Sequence, residues 1–309
     1  ENVPGPTKGN NTEIFPAILE LTNPRARLSS TETRGRLFSC LGEFLWYMAG
    51  SDALNFIEHY ISRYTNYSDD GATVWGAYGP RLFMWHGLNQ FEQTKTLLME
   101  KPLTRKAVIQ LFDRSDLLVS HKDVPCTTTL QFFIRQNRLY LNVHMRSNDA
   151  YLGIPHDIFS FTMIQEIMAK EIGLEVGSYY HSVGSLHLYD RDKKSSDEYL
   201  SEGWQPSTPM NAMPLKPQLT QIQKLLDFEH KLRSGLDPHI SYFNFNEYWV
   251  DVARILKIYH LTRDQGEFTE DQHRQYKALS DAITQDVFEP HLKKRERPVN
   301  STNQQGSLF

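Results

Sequence analysis

Apolar residues fall at every second position across two adjacent stretches of the chain. Leu130, Phe132 and Ile134 alternate, Gln136-Asn137-Arg138 turns, and Leu139, Leu141, Val143 and Met145 alternate again, which predicts a hairpin over residues 129–146. A period of two turns one face of each strand toward a core. Elsewhere the period lengthens. Phe38, Leu41, Leu45 and Met48 recur at three- and four-residue steps, predicting a helix over 31–50 with Ser30 or Thr31 as its cap. Ile158, Phe161, Ile164, Ile167 and Met168 form a second helical stripe, preceded by Pro155 and Asp157 and stopped by Gly173. Short strands are expected from Lys106 to Phe112 and from about Val176 to Tyr189, and residues 62–81 read as a loop ending in Trp75-Gly76-Ala77-Tyr78-Gly79.

Beyond residue 204 the pattern changes. Pro206, Pro209, Pro214 and Pro217 mark a linker-like stretch, followed by helical patterns at about 218–233, 245–262 and 270–286. The tail from Pro298 to Phe309 is polar and expected to be loose. These changes divide the chain into a core over 1–204, a helical extension over 205–297 packed on that core, and a tail over 298–309. There is no internal repeat.

Composition narrows the partners. The chain has 309 residues, is 39% hydrophobic and 23% charged, and carries a formal net charge of −4. That describes an ordinary globular protein without the basic surface of a nucleic-acid binder, although a local cationic pocket for a small anion is compatible with it. Two cysteines, Cys40 and Cys126, make no disulfide framework, and no apolar run approaches bilayer-spanning length. With no signal-like pattern in Glu1-Asn2-Val3-Pro4-Gly5-Pro6, a cytoplasmic location is expected. His144 and His156 have no partner at metal-ligand spacing, so no metal site is expected. The run Lys293-Lys294-Arg295-Glu296-Arg297 reads as solvated charge.

The candidate chemistry begins at Cys126. It stands just ahead of the alternating run, and Arg146-Ser147-Asn148-Asp149 follows the second strand. A thiol and a guanidinium on neighbouring strand segments would supply a nucleophile and the positive charge that favours its thiolate. Cys40, beside Phe38 and Leu41 on the predicted helix, reads as a small core hydrophobe.

Five short motifs in order over roughly residues 35–190 resemble the thymidylate synthase superfamily, closest to its cytidylate 5-hydroxymethylase branch. They are Glu43-Phe44-Leu45-Trp46, Pro125-Cys126, Arg146-Ser147-Asn148-Asp149, Leu152-Gly153-Ile154-Pro155-His156-Asp157 and His187-Leu188-Tyr189. The resemblance implies an α/β fold of α+β type, a large mixed twisted sheet flanked by helices, assembled as a twofold homodimer. It implies Cys126 as nucleophile, with Glu43, Arg146, Asp149 and Tyr78 in the catalytic network. It implies Ser147, Arg105 and Lys106 at the phosphate, the last two reaching across the dimer interface, and His187 and Tyr189 at the sugar. Tyr64, Tyr67, Asp149 and Gly153 would line a site for 5,10-methylenetetrahydrofolate as co-substrate. Lys8 is a weak candidate for the family's N-terminal phosphate arginine.

Departures from the family pattern point to the base. Asp157 stands where the family places a uracil-reading Asn. An ionised Asp only accepts hydrogen bonds, so it suits the amino group of cytosine and a protonated N3. Asp157 as a helix cap remains the alternative. Tyr64 and Tyr67 replace a Trp pair, Thr127 replaces a His, and the folate-closing C-terminal segment has no recognisable counterpart. The expected activity is therefore 5-hydroxymethylation of dCMP or CMP. Thymidylate synthesis, dUMP hydroxymethylation, and a silent nucleotide-binding regulator stay open. Ser147 leans toward a deoxyribose.

Overall fold

In the computed structural model, residues 2–3, 9–31, 35–263 and 266–299 are described; Lys8 and positions 300–309 of the expected tail lie outside them. Two compact units divide at Leu219/Thr220.

The first unit is built on a sheet of seven strands among the described residues. These are β1 (Asn2–Val3), β2 (Asn11–Ile14), β3 (Ala17–Leu21), β4 (Val108–Gln110), β5 (Thr127–Arg135), β6 (Arg138–Asp149) and β7 (Glu175–Tyr189). Their order is β1-β2-β7-β6-β5-β4, with β3 also on β7. β5 and β6 form the predicted hairpin with Arg135 paired to Arg138, and Gln136 and Asn137 turn with φ of 50° and 57°. Positive φ at both central residues is the geometry that a tight two-residue hairpin needs. β6 and β7 run parallel; the connection between them contains helix α5 (Ile154–Glu171), because parallel neighbours require a crossover.

Helices cover one face of the sheet. α1 (Leu37–Met48) is shorter than the expected 31–50, and eleven of its residues are buried, which makes it an internal helix. α1 meets α5 through Phe44 and Phe159, whose rings lie edge-to-face at 6.3 Å. Gln165 Nε2 of α5 donates to the Leu139 carbonyl of the sheet at 2.9 Å.

Several elements escaped the periodicity. Residues 62–81 hold a 3-10 turn over Ser62–Tyr67 and helix α3 (Tyr78–Phe83), following the short α2 (Leu54–Ile57). Helix α4 (Gln90–Glu100) buries only Phe91, Thr94 and Leu98, too sparse a stripe to announce itself. β2 and β3 dock end to end on β7, Asn11 opposite Tyr189 and Leu21 opposite Tyr179, separated by Phe15-Pro16. Helix α6 (Lys193–Ser201) has no buried residue.

The proline-marked stretch after residue 204 lies with the first unit, 15 residues beyond the expected boundary as far as Leu219. Met210 N donates to the Arg25 carbonyl at 2.9 Å, and Met213 N donates to Glu166 at 2.9 Å. Glu166 is also paired with Arg27 at 2.5 Å, and both side chains are buried. These two amides of the strap therefore have partners where water is excluded.

α7 (Leu219–Arg233) begins at the division. The second unit continues through α8 (Glu247–Thr262), α9 (Glu270–Asp281) and α10 (Glu289–Lys293), so the last expected helix ends at 281. Phe228 packs edge-to-face on Phe243 and Phe245, and Tyr276 donates to the Leu292 carbonyl at 2.6 Å. Among the described residues no helix is long and apolar enough to cross a membrane.

Candidate active site

The hairpin brings thiol and guanidinium together. Arg146 N donates to the Cys126 carbonyl at 2.8 Å, so the two residues face each other across β5 and β6. The guanidinium turns back over the loop that carries the thiol. Its Nε donates to Pro125 O and one terminal nitrogen to Val124 O, both at 2.9 Å, and that nitrogen lies 3.8 Å from Cys126 Sγ. Two backbone bonds fix the cation beside a partly exposed sulfur. A positive charge at that distance favours the thiolate.

The loop ahead of Cys126 is anchored from below. Arg81 makes a bidentate pair with Asp116 at 2.7 and 2.8 Å, with both side chains buried. The same guanidinium donates to Leu111 O at 2.7 Å and lies 4.3 Å above the ring of Trp85. Trp75 donates to Asp116 at 2.7 Å and stacks on His121 at 4.2 Å. A buried bidentate pair whose two terminal nitrogens also reach backbone carbonyls fixes geometry well. The loop is thereby held on both sides.

Above the thiol lies an acid–phenol cluster. Glu43 of α1 is buried; Tyr64 donates to it and Tyr47, one turn further along α1, hydrogen bonds it as well. Burial pushes the Glu43 carboxyl up to about 7, against the pull of the two phenols. Tyr64 also packs on Trp46 at 5.3 Å and on Tyr67 at 5.7 Å, which sets an aromatic wall beside the carboxyl. Tyr78 lies between the acids and the thiol. Its hydroxyl accepts from Thr127 N at 3.1 Å and Oγ1 at 3.0 Å, directly after Cys126. Burial raises the phenols of Tyr47, Tyr64 and Tyr78 well above their ordinary range, so all three remain proton donors.

Asp157 lies in the first turn of α5, but it does not cap the helix. Its Oδ2 accepts from Asn148 Nδ2 at 2.6 Å. Burial, with Glu43 and Asp149 adding to it, raises its carboxyl well above the usual range, against the opposing hydrogen bond from Asn148. The ionised Asp157 expected from the sequence is corrected by this environment: desolvation favours the neutral acid. Neutral, it offers one donor and one acceptor.

The turn before α5 is made by Asp149, whose Oδ1 accepts from the amides of Tyr151 and Leu152, both at 2.8 Å; Oδ2 has no partner among the described residues. Gly153 closes that turn against a crowded wall. A Cβ there would meet Asp149 O at 3.0 Å and Asn148 Nδ2 at 3.1 Å. On the neighbouring strand His187 pairs in register with Asp149, and its ring meets Tyr189 at 4.8 Å. Ser147 pairs with Ser185 one step away.

The remaining expected residues do not join this cluster. Arg105 and Lys106 are exposed just before the edge strand β4, and neither side chain bonds a described residue. Sequence reasoning passed over Tyr47 and the roles of Thr127 and Asn148. Tyr47 was findable, because it follows Glu43 at the four-residue step that stacks side chains on one helix face. Thr127 and Asn148 carry no periodic signal.

Mixed sheet, crossover helix, a thiol just ahead of β5 and a cluster of buried acids define an α/β protein with candidate nucleophile and acid groups. The thymidylate synthase family model matches residues 21–233. The chain belongs to that family. A protein of Delftia phage PhiW-14 named deoxyuridylate hydroxymethyltransferase is 29% identical over 234 residues, 71% of this chain and 64% of that protein. Another of the same name from Bacillus phage SP01 is 33% identical over 191 residues, 57% of this chain and 50% of its own. The matches thus span only 64% and 50% of these relatives' lengths.

Proposed function

We propose that the protein hydroxymethylates C5 of a cytidine monophosphate, dCMP or CMP, through a covalent adduct between Cys126 and C6 of the base. The observation that carries this reading is a thiol held 3.8 Å from Arg146 in a fold that also buries two acids, Glu43 and Asp157. C5 of cytosine is a weak nucleophile. Adding sulfur to C6 gives C5 enamine character and divides one hard step into two easier ones.

Methylenetetrahydrofolate, as co-substrate, supplies the one-carbon unit. Residues that fit it are present: the wall of Tyr64 and Tyr67, the free Oδ2 of Asp149, and the bare backbone at Gly153. Arg146 stabilises the thiolate and lies at the opening for a phosphate, with Ser147; His187 and Tyr189 take the sugar. Tyr78, bonded through Thr127 to the nucleophile's own segment, keeps the thiol end of the pocket in place. Once C5 has taken the one-carbon unit, loss of the C5 proton and departure of the folate amine would leave an exocyclic methylene; Glu43, with a pKa of about 7, can then take a proton from water as hydroxyl adds to that carbon. The electron pair returns through the ring and the C6–S bond breaks, releasing the thiolate. On this reading the site is completed in a homodimer, the unbonded Arg105 and Lys106 reaching the partner's phosphate. A twofold contact is the commonest arrangement for such sharing.

A second reading rests on the relatives, both named for deoxyuridylate. A neutral carboxyl can present its donor and acceptor in either order, so a protonated Asp157 complements uracil when the proton faces O4. Labelled co-substrate with CMP, dCMP and dUMP in separate incubations decides between them. Hydroxymethylated cytosine nucleotide is the expected product. Product from dUMP alone overturns the cytosine reading.

A further inference from the structure

Asn148 is the pocket residue that no step above uses. It is 4% exposed, and Asp157 is 8% exposed. The amide is pinned, with Nδ2 bonded to Asp157 Oδ2 at 2.6 Å and the bare backbone of Gly153 against it. Its Oδ1 is buried and has no hydrogen-bond partner among the described residues. Buried acceptors are ordinarily paired, and an orphan beside a ligand pocket marks where a ligand's donor belongs.

The direction of the Asn148 bond matters. Because Nδ2 donates to Oδ2, that oxygen acts as an acceptor, and the proton of a neutral Asp157 belongs on Oδ1. The pair then shows a base three groups in sequence: a donor at Asp157 Oδ1, an acceptor at Asp157 Oδ2, and an acceptor at Asn148 Oδ1. Neutral cytosine has an acceptor at N3 and two hydrogens on its 4-amino group. Uracil has N3–H and O4, which would set donor against donor and oxygen against two acceptors.

We propose that Asn148 is a positioning residue that determines base specificity: Nδ2 orients the Asp157 carboxyl, and Oδ1 accepts the second hydrogen of a pyrimidine 4-amino group. This rests on the cytosine reading and extends it from one residue to a pair. Sites that leave buried polar groups unmatched reject the wrong ligand strongly.

The test uses the full chain and initial rates with dCMP, CMP and dUMP for the wild type, Asn148→Ala, Asn148→Ser and Asp157→Asn. Asn148→Ala is expected to lower kcat/KM for the cytosine nucleotide by about ten- to a hundredfold, mainly through KM, and to change dUMP by less than about threefold. If Asn148→Ala does not fold, Asn148→Ser, whose hydroxyl is too short to span the gap, is expected to shift the cytosine-to-uracil ratio in the same direction. An equal loss on both bases, or an unchanged ratio, overturns the assignment. If Asp157→Asn moves the preference and the Asn148 variants do not, the cytosine reading stands and the role given to Asn148 falls. A wild type that accepts dUMP and refuses both cytosine nucleotides removes both.

Discussion

Two regions of the molecule are built on opposite principles. In the closed acid–phenol cluster burial raises the pKa values of Glu43, Tyr47, Tyr64, Tyr78 and Asp157, and Asn148 donates to Asp157. Ahead of the edge strand β4, Arg105 and Lys106 are exposed, and neither side chain bonds a described residue. Desolvation can move a carboxyl by several pH units, whereas the pull of an exposed cation on an anion is screened by salt. On the proposed reading the closed cluster handles protons, and the exposed cations capture an anion once a second subunit organises them.

The largest effect is expected at the thiol. Cys126→Ala should abolish turnover and tritium release from C5 of the substrate, a loss of at least about a thousandfold. Surviving release would end the covalent scheme and the contrast with it. Glu43→Gln is expected to lower kcat by roughly a hundredfold and to erase a rate inflection near pH 7. The same group carries a stability signature. Its folded pKa, about 7, lies above the unfolded value of 4.5, so the folded chain binds more protons between them and stability falls as pH rises through that window. Glu43→Gln should flatten that slope, which denaturant melts at pH 5 and pH 8 would read.

Smaller effects sharpen the comparison. Arg105→Ala with Lys106→Ala should raise KM for the nucleotide about tenfold, leave kcat within about twofold, and lose most of its effect in high salt. A matching fall in kcat would place the pair at the reacting atoms instead. Tyr47→Phe removes one of two hydrogen bonds that pull the Glu43 pKa down, so the inflection near 7 should move upward while the rate changes only a few fold. A pH–rate profile measures it; a downward move would contradict the burial argument.

Legibility in the sequence followed the same division. The hairpin was readable because strict alternation meets a two-residue turn, and α1 and α5 because each carries a long apolar stripe. β3 was missed although Ala17, Leu19 and Leu21 alternate in burial, because five residues next to Pro16 give too short a signal. α4 was missed because a half-exposed helix needs few apolar residues. Motifs pointed to candidate residues, but not to their surroundings. Nothing local says that burial raises the Asp157 carboxyl or that Asp149 also serves a turn; both depend on what the fold stacks beside them. The proline-rich stretch reads as a linker for the same reason, since its anchors on Arg25 and Glu166 come from distant parts of the chain.

The thiol rides on the hairpin, whereas Asp157 rides on the connection between two parallel strands. On the proposed reading, attack on the ring and choice of the ring are carried by separate pieces of backbone. Exchanging one or two side chains at that connection would then redirect the machine to another pyrimidine letter while the sulfur and its escorting cation stay where they are.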